Sequence, residues 1–253
     1  AKNVEVGQFV PVATVGCDLG NDFIIKEAKL RGVESNGMIC SATELGLPKL
    51  NDGILELDDS IGELVLGKEL KEYSKLNDDI IEIGLTANRG DCLSINGIVR
   101  ELGAFYSIVL IECDKKINYN KLGIGQLLEI ECDKHIDSSL SFIVIDFSDF
   151  KLNILQKLRT AIIGKFQENN DVKNILTYTT HTTGVILNAY SKEKTIKGEN
   201  LNIMYIKKDE LGFDNIYGTE QLSKICVEHN EIDTNDTNFF IEASYIKPEL
   251  ISK

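Results

Sequence analysis

The sequence predicts an α+β protein that is built from several domains. Short β-prone runs separated by glycine turns fill residues 1–72. One clear amphipathic helix pattern lies in residues 73–112, and residues 113–253 mix strand-like and helix-like patterns. The length of 253 residues is enough for two or three domains. We therefore place domain boundaries near residues 72 and 112.

The first segment has the pattern of a small β-barrel. Strand-like runs lie at residues 9–15, 23–26, 38–40 and 53–57. A Ser-Asn-Gly turn is predicted at residues 35–37. Ser41 and Glu44 have the spacing of a capping box, which predicts a short helix. Many short strands joined by glycine turns are typical of barrels.

The middle segment predicts a strand, a tight turn and a helix. Residues 80–85 are β-prone, Asn88 and Gly90 tolerate the positive φ of a turn, and Asp91 stands at the N-cap position. Apolar residues then recur at helical spacing and predict one helix face: Ile95, Ile98, Val99, Leu102, Phe105 and Tyr106.

No catalytic set is predicted in this segment. Asn88, Arg89 and Asp91 are interpreted as a turn residue, a surface or helix-stapling charge, and an N-cap. Cys92 begins a helix, where a thiolate is stabilised, but no histidine is near it in sequence. A metabolic enzyme with a Cys92 nucleophile is therefore disfavoured. The sequence also has no phosphate-cradling glycine loop and no metal-ligand spacing.

The last segment predicts a second globular unit after a polar linker at residues 113–120. A helix is predicted over residues 151–168 from its apolar spacing, with its end at residues 169–171. Strands are predicted at residues 127–132, 140–147, 201–206 and 239–243.

Composition limits the partners and the compartment. The net charge of −13 disfavours a surface that wraps nucleic acid broadly, so any RNA contact is expected to be local. The candidate RNA-binding patch is Lys26, Lys29 and Arg31, with a solvated strand edge as the alternative. Six scattered cysteines favour reduced thiols and a cytoplasmic location. No membrane span or signal peptide is expected.

Two long motifs carry a family resemblance. Residues 86–102 match T-x-N-R-x-D-C-L-S-x-x-G-I-x-R-E-L, and residues 31–47 match R-G-V-x-S-x-G-M-x-C-S followed by E-L-G-L. Both resemble the β chain of bacterial phenylalanyl-tRNA synthetase. The resemblance implies a partial OB-type tRNA-binding barrel at 1–72, a small αβ linker domain at 73–112, and a C-terminally truncated α+β editing-type domain at 113–253. Because the family's first barrel strands are missing, an open edge that pairs with another copy is expected.

The editing-type domain departs from the family motif N-Y-V-M-x-E-x-G-Q-P-L-H-A-F-D. Residues 177–191 correspond to it and agree at Tyr178 and Gly184, as well as at Leu187 and Ala189. Asn188 replaces the motif's histidine. Other positions that differ include Thr182, Val185, Ile186 and Ser191.

Two further residues are editing-site candidates. Glu242 matches the family glutamate that helps to read the tyrosine hydroxyl, with an ordinary strand residue as the alternative. His181 lies in a threonine cluster and is a candidate substitute for the lost histidine. The resemblance thus implies a retained fold with an eroded editing site.

The resemblance also implies a function for the parent enzyme. That enzyme is a ligase that activates phenylalanine with ATP and magnesium and esterifies tRNA(Phe), as a heterotetramer of two α and two β chains. ATP and magnesium are expected to bind outside this region, so this piece alone is expected to be inactive in aminoacylation. The alternative is a free-standing OB-type RNA-binding module that acts in trans. An open reading frame that stops near Lys253 would favour that module.

Overall fold

The computed structural model describes residues 1–111, 123–132, 135–225, 230 and 232–246. These residues form a mixed α+β structure, in agreement with the predicted class. Their α-helices are α1 (Ile95–Tyr106), α2 (Ile154–Ile162) and α3 (Asp171–Thr183). None of the described helices is long and apolar enough to cross a membrane.

The chain divides into two compact units. The first contains Ala1–Ile83 and Lys151–Asn174, and the second contains Gly84–Phe150 and Ile175–Lys253. The boundary between the units therefore falls within α3. The segments predicted at 1–72, 73–112 and 113–253 remain predictions as functional domains. The predicted linker at 113–120 lies outside the described residues.

The first unit contains four short strands: β1 (Val12–Thr14), β2 (Ala28–Leu30), β3 (Val33–Ser35) and β4 (Gly37–Ile39). Strands β1 and β4 are antiparallel, as are β2 and β3. Arg31 and Gly32 join β2 to β3 with φ values of 49° and 85°, which suit the tight turn of a twisted hairpin. The strands predicted at 23–26 and 53–57 form single bridges only.

Helix α2 packs into the core of the first unit. Asn153 and Gln156 form a capping box at its start, and the Asp58 carboxylate accepts a hydrogen bond from the Ile154 N–H at 2.7 Å. The core residues are Ala42, Leu50, Leu55, Ile61, Tyr73, Ile154 and Leu158. The helix is shorter than the predicted 151–168 because Gly164 adopts a φ of 71° and ends it.

The second unit contains eight strands in its described part. They are β5 (Leu128–Cys132), β6 (Ser138–Asp146), β7 (Ile186–Ser191), β8 (Ile196–Lys197), β9 (Asn202–Lys208), β10 (Asp214–Tyr217), β11 (Gln221–Lys224) and β12 (Asn238–Ile246). One sheet has the order β6-β12-β7, and the other has the order β11-β10-β9-β5 with β8 paired to β9. Strands β5, β6, β9 and β12 confirm the four predicted runs.

Side chains from both sheets form the core of the second unit. Its buried members are Leu128, Tyr190, Met204, Ile206, Ile216, Ile225 and Phe240. Burying a large aliphatic side chain stabilises a fold by roughly 1.5–3 kcal/mol, so this cluster supplies much of the attraction between the sheets. Strand β12 is the central strand of its sheet, which places its middle residues against this core.

The segment before α1 differs from its prediction in three ways. Residues 80–85 form no strand, because no described strand pairs with them. A turn does lie at residues 87–88, but neither Asn88 nor Gly90 has a positive φ. The N-cap of α1 is Ser94, whose hydroxyl accepts a hydrogen bond from the Gly97 N–H at 3.1 Å, and not Asp91.

The correction at the N-cap leads to a stability prediction. Replacing Ser94 with alanine is expected to lower the free energy of unfolding by about 1 kcal/mol, because the buried Gly97 N–H loses its acceptor. Urea unfolding followed by circular dichroism measures this loss. Asp91→Ala is the matched control and is expected to have the smaller effect, since Asp91 is exposed. The opposite ranking would restore Asp91 as the cap.

Candidate functional site

Glu242 is the centre of a buried polar network in the second unit. It lies in the middle of β12, opposite Phe142 of β6 and Asn188 of β7. Its side chain is fully buried. Because neighbouring strands cover both edges of β12, the carboxylate must find its hydrogen-bond donors among side chains.

Two side chains donate to this carboxylate. Glu242 Oε2 accepts hydrogen bonds from Asn188 Nδ2 at 3.0 Å and from the Tyr190 hydroxyl at 2.6 Å. The Tyr190 and Ser223 hydroxyl oxygens are 2.5 Å apart. Asn188 Oδ1 accepts from the Asn230 N–H at 2.9 Å, so both ends of the Asn188 amide are engaged. We call Asn188, Tyr190, Ser223, Asn230 and Glu242 the buried polar network.

The network has very low solvent access, since Asn188 and Glu242 are fully buried and Tyr190 is almost so. Burial, together with the nearby Glu242 carboxylate, raises the pKa of Tyr190 well above its usual range. Tyr190 therefore stays protonated and donates its hydrogen to Glu242. The other carboxylate oxygen, Glu242 Oε1, has no hydrogen-bond partner among the described residues.

A cleft of about 370 Å³ borders the network in the second unit. Its walls include Tyr190, Ser223 and Asn230 from the network, together with Ala189 and Phe239. Its rim carries charged residues: Lys194, Glu220, Asp233 and Asp236. The cleft therefore has aromatic side chains on its wall and charged side chains on its rim. This combination suits a small amphipathic ligand.

The structure brings together only some of the editing candidates predicted from sequence. Asn188 and Glu242 are in direct contact, and Glu242 is not the solvent-facing strand residue that was its alternative. Tyr178 and His181 lie on α3, and His181 is exposed. Gly184 follows α3 with a φ of 81°. Among the described residues, no hydrogen bond links His181 or Gly184 to the buried polar network.

Tyr190, Ser223 and Asn230 are network residues that the sequence reasoning missed. A signal for Tyr190 was present, because residues two apart on a strand share a face, as Asn188 and Tyr190 do. In addition, the family motif has phenylalanine where this chain has Tyr190. Ser223 and Asn230 come from distant segments, and their positions follow only from the packing of the two sheets.

Arg89 organises a second polar cluster near the start of α1. Its guanidinium binds both carboxylate oxygens of Asp91 at 3.0 Å and reaches Glu101 on α1 at 2.6 Å. These contacts lower the pKa of Asp91 to about 2. Asn88 contacts Thr86, whose hydroxyl donates to Asn88 Oδ1 at 2.7 Å.

Cys92 lies in the same cluster with Asp91 and Glu101, a donor set with the spacing of a metal site. The Arg89 guanidinium binds all three residues, including the Cys92 sulfur at 3.0 Å. It therefore supplies the positive charge that a metal ion would otherwise bring to this cluster. Loss of hydration raises the pKa of the Cys92 thiol, which disfavours the thiolate that a nucleophile needs.

The candidate RNA-binding residues lie in the first unit. Lys26, Lys29 and Arg31 are all exposed. Lys29 lies on β2 opposite Glu34, and Arg31 is in the turn of the β2–β3 hairpin. The patch is therefore a short hairpin with its cations in solvent.

Comparison with known proteins identifies relatives of the whole chain. It is 43% identical to the phenylalanine–tRNA ligase beta subunit of Wolinella succinogenes and 44% identical to that of Helicobacter pylori, in both cases over its full length. A Campylobacter jejuni relative with the same name is 40% identical over the full chain. The chain spans about a third of the length of these relatives. No family model matches it.

These names define a class, the subunits of aminoacyl-tRNA ligases. Within that class, the relatives named above match the whole chain, and all of them are beta subunits of phenylalanine–tRNA ligase. The chain belongs to the phenylalanine–tRNA ligase beta subunit family, of which it corresponds to about one third.

Proposed function

We propose that this chain is a part of a phenylalanine–tRNA ligase beta subunit and serves the ATP-dependent charging of tRNA(Phe) with phenylalanine. The observation that carries the proposal is the identity of 43–44% across the entire chain. Its partners are tRNA(Phe) and the ligase α subunit, in an assembly of two α and two β chains. ATP and magnesium serve the parent enzyme at residues outside this chain.

The proposed domain roles follow the sequence segments. Residues 1–72 form part of an OB-type tRNA-binding domain, residues 73–112 form a small αβ linker domain, and residues 113–253 form an editing-type domain. The short antiparallel strands β1–β4 support the first role. The contact between Asn188 and Glu242 supports the last, because it joins two candidates that are 54 residues apart in sequence.

Charging assays test the main proposal. The complete β chain that contains this sequence is expected to charge tRNA(Phe) with phenylalanine when it is combined with its α subunit, and not when either chain is alone. The 253-residue chain is expected to give no ATP–pyrophosphate exchange, since its sequence has no phosphate-cradling glycine loop. Failure of the combined subunits to charge tRNA, or exchange above background by this chain alone, would contradict the proposal.

We expect the 253-residue chain to bind tRNA weakly, with strong salt sensitivity. The net charge of −13 leaves few phosphate contacts, and the candidate cations are confined to one hairpin. Lys29→Ala combined with Arg31→Ala is expected to reduce the slope of log K against log salt by about 1.5, which corresponds to two lost contacts. Filter binding across a salt series measures the slope.

A matched control separates local contact from general charge. Lys49→Ala combined with Lys71→Ala removes two exposed lysines that already pair with Asp52 and Glu69. This variant has the same net charge but is expected to keep the wild-type slope. Equal slopes for the two double variants would exclude the hairpin as the tRNA contact. Sub-micromolar binding that persists in about 200 mM salt would contradict the prediction of weak, salt-sensitive binding.

A further inference from the structure

Two Asn-Gly pairs occur in the sequence, at residues 36–37 and 96–97. Asparagine is chemically labile, and it is most labile before glycine, because glycine has no Cβ to shield its backbone nitrogen. That nitrogen can attack the side-chain carbonyl of the asparagine and close a five-membered imide. Whether it does so depends on the freedom of the asparagine amide and of the glycine N–H.

Asn36 lies between β3 and β4 and belongs to neither sheet. Strand β3 pairs with β2, whereas β4 pairs with β1, so the turn predicted at residues 35–37 is instead a junction between two strands. The Asn36 side chain is exposed and makes no hydrogen bond within the described part of the chain. Its amide can therefore rotate towards the backbone nitrogen of Gly37.

The register of β1 and β4 leaves the Gly37 N–H outside the ladder. The Cys40 N–H donates to the Pro11 carbonyl oxygen at 3.0 Å, which makes these two residues a hydrogen-bonded pair. Opposite residues of antiparallel strands alternate between bonded and non-bonded pairs. Gly37 lies opposite Thr14, three positions along the register, and therefore belongs to a non-bonded pair. Its N–H points away from β1.

The second Asn-Gly pair is held in the opposite way. Asn96 and Gly97 are in the first turn of α1, and Gly97 is buried. The Gly97 N–H donates to Ser94 Oγ at 3.1 Å. The helix must open before this nitrogen can react, so the same two residue types serve as an internal control.

We propose that Asn36 is a site of spontaneous deamidation, and that its isoaspartate product weakens the pairing of β1 with β4. The Gly37 nitrogen bonds to the Asn36 side-chain carbonyl carbon, and the amide group leaves as ammonia with the proton of the Gly37 N–H. Water then opens the imide at one of its two carbonyls and gives aspartate or isoaspartate. The proposal is independent of the role in tRNA charging.

The structural effect comes from the backbone of isoaspartate, which is one methylene longer than that of aspartate. Gly37 fits closely against β1, since a Cβ added to it would lie 2.9 Å from the Ala13 carbonyl oxygen. Ala13 and Cys40 belong to the small core beneath these strands. A longer backbone directly before Gly37 therefore displaces β4 from its partner.

Incubation of the 253-residue chain in mildly alkaline buffer tests the reactivity of both sites. Digestion and mass spectrometry measure deamidation at Asn36 and Asn96, and synthetic peptides of residues 33–40 and 93–100 give the rates without a fold. We expect Asn36 to react in the chain about as fast as in its peptide, and Asn96 to react about ten-fold more slowly than in its peptide. Equal protection of the two sites by the fold would overturn the proposal.

Two variants test the product. Asn36→Gln is expected to stop the reaction at residue 36 and to leave that at Asn96 unchanged, because glutamine must close a larger ring. Asn36→Asp adds the charge of the product without the methylene. We expect the purified isoaspartate form to unfold about 3 °C below Asn36→Asp. Equal unfolding midpoints for these two forms would overturn the proposed effect on β1 and β4.

Discussion

Replacing Asp214 with alanine is expected to lower the free energy of unfolding by about 4 kcal/mol. Asp214 lies on β10 and is 5% exposed, and its Oδ2 accepts three hydrogen bonds from the turn that begins β6. The donors are the N–H groups of Asp137 and Ser138 and the Ser138 hydroxyl, at 2.8–3.0 Å. Because β6 and β10 belong to different sheets, the substitution removes a polar clamp between them. Urea unfolding of the 253-residue chain measures the loss.

A change at Asp137, which shares the Lys208 side chain with Asp214, provides the matched control for this clamp. Its ammonium group pairs with both Asp137 and Asp214. Asp137→Ala removes a half-exposed carboxylate and one of these ion pairs, but it leaves the backbone donors to Asp214 in place. Its expected cost is below about 1 kcal/mol, as for other surface ion pairs. Similar costs for the two variants would mean that the ion pair with Lys208, and not the clamp, carries the effect.

The sequence predicted four strands of the second unit better than any other part of the fold. Strands β5, β6, β9 and β12 coincide with runs rich in aliphatic and aromatic residues, which favour the extended conformation. The run at 80–85 has similar composition but forms no strand. Composition reports β-propensity, whereas a strand also requires a neighbouring strand to pair with.

Local polar chemistry was harder to predict than periodicity. Helix α1 lies where the apolar spacing predicted it. Two residues before it, Asp91 and Ser94, have side-chain oxygens that could accept the N-cap hydrogen bond. Arg89 binds Asp91 and leaves Ser94 to cap the helix. The apolar face of α1 is also largely exposed, as Val99, Leu102 and the later aromatic residues are. Periodicity identifies which face is apolar but not what covers it.

Only those residues of the candidate site that align with a family motif could be predicted from the sequence. Asn188 and Glu242 were chosen by their alignment with a family pattern, and they are adjacent in the sheet. The partners that complete the network depend on the packing of one sheet on the other. Ser223, on β11, is the clearest example, because nothing in its local sequence connects it to β7.

The last prediction concerns editing, which remains a proposal for this chain. In the complete assembly of α and β chains, Tyr-tRNA is expected to be hydrolysed no faster than the uncatalysed ester. General-base catalysis is worth roughly 10²–10⁴-fold, and asparagine cannot accept a proton near neutral pH. Asn188 is also fully buried, and its amide already binds Glu242 and the Asn230 N–H, so it is poorly placed to orient a water molecule. Release of tyrosine from preformed Tyr-tRNA measures the rate.

Four variants of the same assembly decide how the site has changed. Rapid hydrolysis by the wild type that Glu242→Ala abolishes would show a working site and contradict the prediction. Restoration of hydrolysis by Asn188→His alone would support it and identify Asn188 as the lesion. His181 is exposed on α3 and makes no described hydrogen bond to the network, so His181→Ala is expected to change nothing. An activity that His181→Ala removes and Asn188→Ala leaves intact would instead show that His181 has taken over the role of the missing histidine.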